Sequence, residues 1–388
     1  MIQRTIRLDF AHRVQFTRGA FRSGNSDLLD LMRAAEHRRA VSSVLVIADA
    51  GLLAAQPDLA PQIEGYFGEA ADFQLAAPVV GVPGGERVKN EWPQVEKLWK
   101  AINDAGLDRH AYVIAIGGGA VLDLAGFAAA TAHRGIRHLR MPTTTLSQGD
   151  GGVGVKNGVN FFGKKNWVGT FAVPFAVLND FAFLDTLPER ERRAGVIEAI
   201  KVAMIRDAAF FREMEADAAA LGALESGILE RVIQRSAELH VEHIATGGDP
   251  FEMGSARPLD FGHWVAHKLE QISGFRVGHG EAVAIGMAAD LLYADRAGIA
   301  QPGVSDRALQ LIEAVGFDLY APELHAKAPG GRPAILQGLE EFREHLGGEL
   351  TITLVPRIGE KIEVHEMDER HVRAALDALR DRVAAMAA

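Results

Sequence analysis

The sequence predicts two domains of different class: an α/β domain over residues 1–187 and a mainly α-helical domain over 188–388. Three observations carry this expectation. In the first half, short apolar runs end at turn residues and alternate with helical patterns. After Thr186-Leu187-Pro188 the pattern becomes helical almost throughout. The length of 388 residues also exceeds the roughly 100–200 of one domain. Taken in order, Val44–Ala48 (VLVIA) is a β-branched run stopped by Asp49-Ala50-Gly51 and reads as a buried strand. Trp92–Ala105 spaces its apolar residues as a helix. Tyr112–Ile116 (YVIAI) is a second strand and runs into Gly117-Gly118-Gly119. Leu139–Met141 ahead of Pro142-Thr143-Thr144, and Ala176–Leu178 ahead of Asn179-Asp180, read as two more. Strands alternating with helices predict a parallel sheet with crossover helices. In the second half one helix holds Glu198, another covers Ile228–His243 and a third Glu281–Ala297. A late strand is expected at Leu350–Val355, and the closing DALRDRVAAMAA reads as a terminal helix.

Composition removes whole classes of function. With 48% hydrophobic and 24% charged residues the chain is that of a folded protein with a sizeable core. The absence of cysteine excludes thiol nucleophiles, CxxC redox chemistry, Cys-ligated zinc and iron–sulfur clusters, so any metal rests on His and carboxylates. A net charge of −10, from 41 Lys+Arg against 51 Asp+Glu, argues against a nucleic-acid partner. Arg4, Arg7, Asp9 and Arg13 stand where a signal peptide needs an apolar run, and no stretch approaches the ~18 apolar residues of a membrane span. A cytoplasmic protein with no membrane partner is expected.

Three groups of residues carry candidate chemistry. The turn Gly117-Gly118-Gly119 joins a strand to a helix containing Asp123 and Gly126, where backbone N–H groups and the helix N-terminus suit a pyrophosphate. Its spacing is GGGxxxD rather than GxGxxG, and a purely structural turn is as open a reading. Asp49, at a strand end, suits ribose hydroxyls or a helix N-cap. Thr143 and Thr144 offer hydroxyls at another strand end, and together these residues favour a dinucleotide site. In the helical half, His263 and His267 are spaced i, i+4, His279 opens the next helix, and Glu198 and Lys201 are spaced i, i+3. Two histidines and a carboxylate with an open position build a catalytic metal site, and spacing alone makes both His263 and His267 ligands. Between these groups, Asp150–Asn160 and Gly163–Asn166 bring Lys156, Lys164 and Lys165 together with many glycines. This reads as a loop suited to a phosphate, the other reading being a solvated surface loop. Arg134 is either a further phosphate partner or a cation answering a helix C-terminus.

With these residues in order, the chain resembles the dehydroquinate synthase-like sugar phosphate cyclases. The resemblance runs through most of the length and rests on GGGAVLDLAGF (117–127), MPTTTL (141–146), GDGGVGVKNGVN (149–160), GKKN (163–166), EAIK (198–201), FGHWVAH (261–267) and GHGEAVAIGM (278–287). It implies an α/β NAD-binding domain, a helical metal- and substrate-binding domain, an active site in the cleft between them, and a homodimer. It also implies bound NAD and one divalent metal, Zn²⁺ or Co²⁺, on Glu198, His263 and His279, with His267 moved to the substrate side. Asp150, Lys156, Lys165, Asn166, Lys201 and Arg134 match residues around the sugar phosphate, Lys156 and Lys165 lying also close to the cofactor. Gly117, Gly118, Gly119, Asp123, Thr143, Thr144, Phe183 and Thr186 match the cofactor site, with Glu86 and Lys89 at its nucleoside end. The implied reaction removes a hydride to NAD, eliminates phosphate, returns the hydride and closes a carbocycle.

Departures from the quinate enzymes narrow the substrate. Their Arg-x-x-Leu-Asn before Gly-His is here Arg257-Pro-Leu-Asp260-Phe-Gly-His263. An expected lysine falls in Leu239–His243, which has none, and Arg343-Glu344-His345 stands where a lysine pair is usual. Fewer cations and an added carboxylate disfavour a carboxylated substrate. The pattern resembles the branch that cyclises sedoheptulose 7-phosphate to valiolone-type cyclitols. The competing expectations are 3-dehydroquinate synthase itself, an NAD-dependent polyol dehydrogenase of the glycerol dehydrogenase type, and a non-catalytic sensor.

Overall fold

The computed structural model describes residues 1–388 except Arg38, 252–257, 346–347 and 387–388, and the side chains of Pro258, His345 and Met386. The chain divides into two compact units, Met1–Leu187 and Pro188–Ala388. Among the described residues no helix is long and apolar enough to cross a membrane.

The first unit is built on a seven-stranded sheet, ordered β1 (Val14–Thr17), β9 (Ala176–Asp180), β6 (Arg137–Pro142), β5 (Tyr112–Gly117), β2 (Ser42–Asp49), β3 (Phe73–Leu75), with β4 (Val80–Val82) also on β2. Every pairing in it is parallel. The central strands are buried on both faces, which is why they read as continuous apolar runs rather than alternating ones. One face, with Val44, Val46, Ile114 and Leu139, packs on Leu28, Ile63 and Phe67. The other, with Leu45, Ile47, Val113 and Ala115, packs on helices that include α2 (Trp92–Asp104) and α3 (Gly119–Thr131). The short helices α1 (Ala50–Ala55) and α4 (Thr145–Gly149) start where β2 and β6 end.

The lysine-rich region expected as a loop is instead largely a two-stranded antiparallel hairpin, β7 (Lys156–Phe161) with β8 (Lys164–Phe171). Phe161 pairs with Lys164 across Phe162-Gly163, both at positive φ, as a two-residue hairpin turn of matching twist requires.

The second unit is helical, with a single two-stranded sheet of β10 (Ile352–Arg357) and β11 (Glu360–Val364) among the described residues. Four of its helices matter here: α5 (Glu189–Arg206), α6 (Ser226–Thr246), α7 (His263–Ile272) and α8 (His279–Arg296). The middle of α5 and most of α8 are buried all round, as core helices are.

Candidate functional site

In the second unit, Glu198 on α5, His263 at the start of α7 and His279 at the start of α8 present ligand atoms that all lie within 4.8 Å of one another. Both imidazoles are aimed by their other nitrogen. His263 Nδ1 donates to the Phe261 carbonyl at 3.1 Å, and His279 Nδ1 donates to Glu270 Oε2 at 3.2 Å. Each therefore turns its Nε2 toward Glu198 Oε1, at 4.0 and 3.6 Å. Burial, reinforced by Lys201, pushes His263 down to about 3, which keeps it in the neutral form a metal needs. Two imidazoles and a buried carboxylate converging in this way fit a small divalent cation of the zinc or cobalt type. Lys201, one turn along α5 and as buried as Glu198, forms an ion pair with Glu198 Oε2. His267 lies outside the converging set, its ring centre 5.4 Å from that of His263 and 6.3 Å from that of His279. The i, i+4 spacing makes His267 a ligand as readily as His263, whereas the ligand atoms that converge are those of Glu198, His263 and His279, with His267 one turn further along α7.

Two acids that do not stand out in the sequence hold this cluster. Glu270, two turns after His263, orients His279. Asp290 of α8 is fully buried and accepts from Gly262 N–H at 3.0 Å and Trp264 Nε1 at 2.8 Å, the residues flanking His263. Gly262 has φ +79°, and a Cβ on Gly286 would come 2.0 Å from its carbonyl, so α7 starts in backbone contact with α8. At the head of α8, Arg190 and Gly278 N–H bond Glu281 and hold its carboxyl below the usual range despite the opposing effect of burial.

In the first unit, Gly118 caps α3, and Thr143 N–H donates to Gly117 O, tying two strand ends together. The Thr144 hydroxyl accepts from Ser147 N–H in a capping box that starts α4. Asp49 spends Oδ1 as the N-cap of α1, on Gly51 and Leu52 N–H. Lys89 is buried: it bonds Asp123 Oδ2 at 2.7 Å and Asn166 Oδ1, with Glu86 at 3.6 Å. Phe183 is a core residue, while Thr186 is exposed and accepts from Gln56. Lys156, Lys165 and Asn166 are exposed on the hairpin, and Asp150 is half-buried. Arg134 is exposed beyond the C-terminal end of α3, about 20 Å along that helix from the Gly118 turn, so one chain does not bring it to the glycine turn. Asp260 ends a short turn, Pro258–Asp260, three residues before His263; Arg257 lies outside the described residues.

The parallel sheet of the first unit and the Glu-His-His cluster of the second are the layout expected of the dehydroquinate synthase-like sugar phosphate cyclases, and the match to family models decides the class. The chain belongs to the 3-dehydroquinate synthase family, whose N-terminal model matches residues 79–194 and whose C-terminal model matches 195–329. It is similar to the 3-dehydroquinate synthase of Symbiobacterium thermophilum, 37% identical over 336 residues that cover 85% of this chain and 90% of that protein. The Bordetella pertussis 3-dehydroquinate synthase is 37% identical over 82% of this chain and 87% of its own. Among solved structures, ValA, the 2-epi-5-epi-valiolone synthase from Streptomyces hygroscopicus subsp. jinggangensis 5008 with NAD⁺ and Zn²⁺ bound, superposes with a TM-score of 0.84 at 27% identity, covering 98% of this chain and all of that one. A 2-deoxy-scyllo-inosose synthase complexed with carbaglucose-6-phosphate, NAD⁺ and Co²⁺ gives 0.75 at 23% identity, over 94% and 95%, and shows the shared fold. The protein is an enzyme of the lyase type.

Proposed function

We propose that the protein is an NAD- and metal-dependent cyclase that converts sedoheptulose 7-phosphate into a valiolone-type cyclitol with loss of phosphate. The observation that carries the substrate class is Asp260, a carboxylate three residues from a metal ligand where the quinate enzymes' motif has asparagine. A substrate carboxylate there would meet a like charge, whereas a neutral polyol meets a hydrogen-bond acceptor. The full-length likeness to a 2-epi-5-epi-valiolone synthase supports the same reading.

In this reading the first unit holds the dinucleotide around Gly117–Gly119, Asp123, Thr143 and Thr144, and Glu198, His263 and His279 hold the metal. When bound, NAD supplies a reversible hydride acceptor and the divalent metal a Lewis acid for the substrate oxygen. Lys156, Lys165 and Arg134 offset the charge of the phosphate as it leaves. Asn166 commits Oδ1 to Lys89, so its amide N–H₂ is the end offered to that phosphate. Lys201, buried beside Glu198, would donate to the oxygen on the substrate carbon that is oxidised, and Asp150 would accept from substrate hydroxyls. His267 moves a proton on the substrate side of the cluster. A homodimer in the cytoplasm completes the reading.

The test is the ratio of kcat/KM for sedoheptulose 7-phosphate to that for the carboxylated heptulosonate phosphate, in wild type and in Asp260→Asn. The expected result favours the ketose in wild type and moves toward the carboxylated substrate in the variant. The second reading, 3-dehydroquinate synthase itself, is favoured by the 37% identity to enzymes of that name. Turnover of the carboxylated substrate alone would establish it.

A further inference from the structure

The reaction above makes no use of Arg140, although this residue occupies the centre of the first unit. It lies mid-strand on β6 between Ala115 of β5 and Val177 of β9 and is 0% exposed. Its guanidinium donates to five oxygens, all between residues 151 and 157. They are the carbonyls of Gly151 (3.3 Å), Gly152 (3.2 Å), Gly154 (3.1 Å) and Lys156, and Asn157 Oδ1 at 2.7 Å. Every partner is a neutral oxygen. Taking a guanidinium into a sheet interior with no carboxylate among its hydrogen-bond partners is costly, Asp123 acting on it only through its field, and an apolar side chain would pack there without that cost. What the arginine adds is a rigid fork able to gather several carbonyls at once.

The gathered segment needs such an anchor. Three of its residues, Gly151, Gly152 and Gly154, have no side chain to pack, and it connects α4 to the hairpin. Its far side is fixed as well: a Cβ on Gly126 of α3 would come 1.8 Å from Asn157 Oδ1, so Asn157 is wedged between that helix and Arg140. The segment is bracketed by Asp150 and Lys156, both assigned above to the substrate.

We propose that Arg140 is a positioning residue for the substrate-binding segment, holding the 151–157 backbone so that Asp150 and Lys156 are set before the sugar phosphate arrives. The proposal rests on the reading of those two residues as substrate contacts. Its test uses full-length Arg140→Gln, Arg140→Lys and Asn157→Ala, with amide hydrogen exchange of the 150–157 peptide, KM and kcat on sedoheptulose 7-phosphate, and bound metal as readouts. In Arg140→Gln, exchange of that peptide should rise at least tenfold, and KM should rise about 10–100-fold with a smaller fall in kcat. Metal content should stay at the wild-type level. Arg140→Lys should resemble Arg140→Gln, because the fork rather than the charge is required. Asn157→Ala, which keeps the cation, should move the same readouts less far, and it decides the matter if Arg140→Gln does not fold. Unchanged exchange, or faster exchange with unchanged KM, would overturn the proposal. If wild type turns over only the carboxylated heptulosonate phosphate, the substrate reading fails, and the same variants are judged on exchange and on KM for that compound.

Discussion

The metal cluster of the second unit and the 150–171 segment of the first solve opposite problems. At the cluster the reactive groups themselves are held: Glu198 is buried against Lys201, His263 is set by Phe261 and by the Asp290 clamp on its neighbours, and His279 is set by Glu270. Along the 150–171 segment the candidate cations Lys156 and Lys165 are exposed, and the buried group is Arg140, whose two terminal nitrogens hold the 151–157 backbone. A metal tolerates little error in ligand geometry, so its ligands sit on packed helices with partners of their own. In the proposed reading a phosphate would offer several equivalent oxygens to these point charges, so only the backbone that carries the lysines would have to be rigid.

Breaking the cluster should have the largest effect. Glu198→Ala and His263→Ala should lose bound metal, measured by elemental analysis, and turnover with it. Glu198→Ala also removes the buried carboxylate against Lys201, which should cost about 3–5 kcal/mol in urea unfolding. Next comes Gly286→Ala, whose Cβ would press on the Gly262 carbonyl and push α7 from α8. It should cost about 1–3 kcal/mol and weaken metal binding at the same time. Glu270→Gln leaves the ligands in place but weakens the hold on His279, and metal affinity by chelator competition should fall about 10–100-fold.

The Asp290 clamp gives a smaller, pH-dependent signature. Burial raises its carboxyl to about 7 from 3.8, against the lowering effect of Trp264 and Gly262. A raised carboxyl stays protonated in the fold while the unfolded chain has released its proton. Its contribution is therefore fullest below about pH 4 and is lost as pH rises through about 7. Relative to wild type, metal-free Asp290→Asn should gain stability across that window by at most ~1.4 kcal/mol per pH unit. A constant difference across the window would contradict the assignment. The smallest effect should come from Lys164→Ala, an exposed lysine over the exposed Trp167 ring, whose unfolding free energy should stay within about 0.5 kcal/mol of wild type.

Legibility in the sequence follows the same division. The sheet strands announce themselves because burial on both faces demands unbroken apolar runs such as VLVIA and YVIAI. The hairpin does not. Glycine, lysine and asparagine weigh against strand, and the signal that was present, Phe162-Gly163 as a two-residue turn, needs positive φ at a phenylalanine. For the cluster, spacing picks out His263 and His267 on one helix but cannot say which ring meets a carboxylate sixty-odd residues earlier in the chain. The motif resemblance supplied that grouping, and the geometry brings Glu198, His263 and His279 together. Glu270 had a usable signal in its i, i+7 spacing from His263 on the same helix face. Asp290 and Arg140 had none, since a lone charge in an apolar run reveals neither its burial nor the backbone groups it binds.

The most direct measurement is phosphate release from sedoheptulose 7-phosphate with NAD and Zn²⁺ or Co²⁺ present, followed alongside absorbance for NADH. Stoichiometric phosphate with no lasting NADH is the predicted result, because in the proposed reaction the hydride taken at the start would be returned before the ring closes. Steady NADH without phosphate would make the protein a dehydrogenase and contradict the cyclase reading.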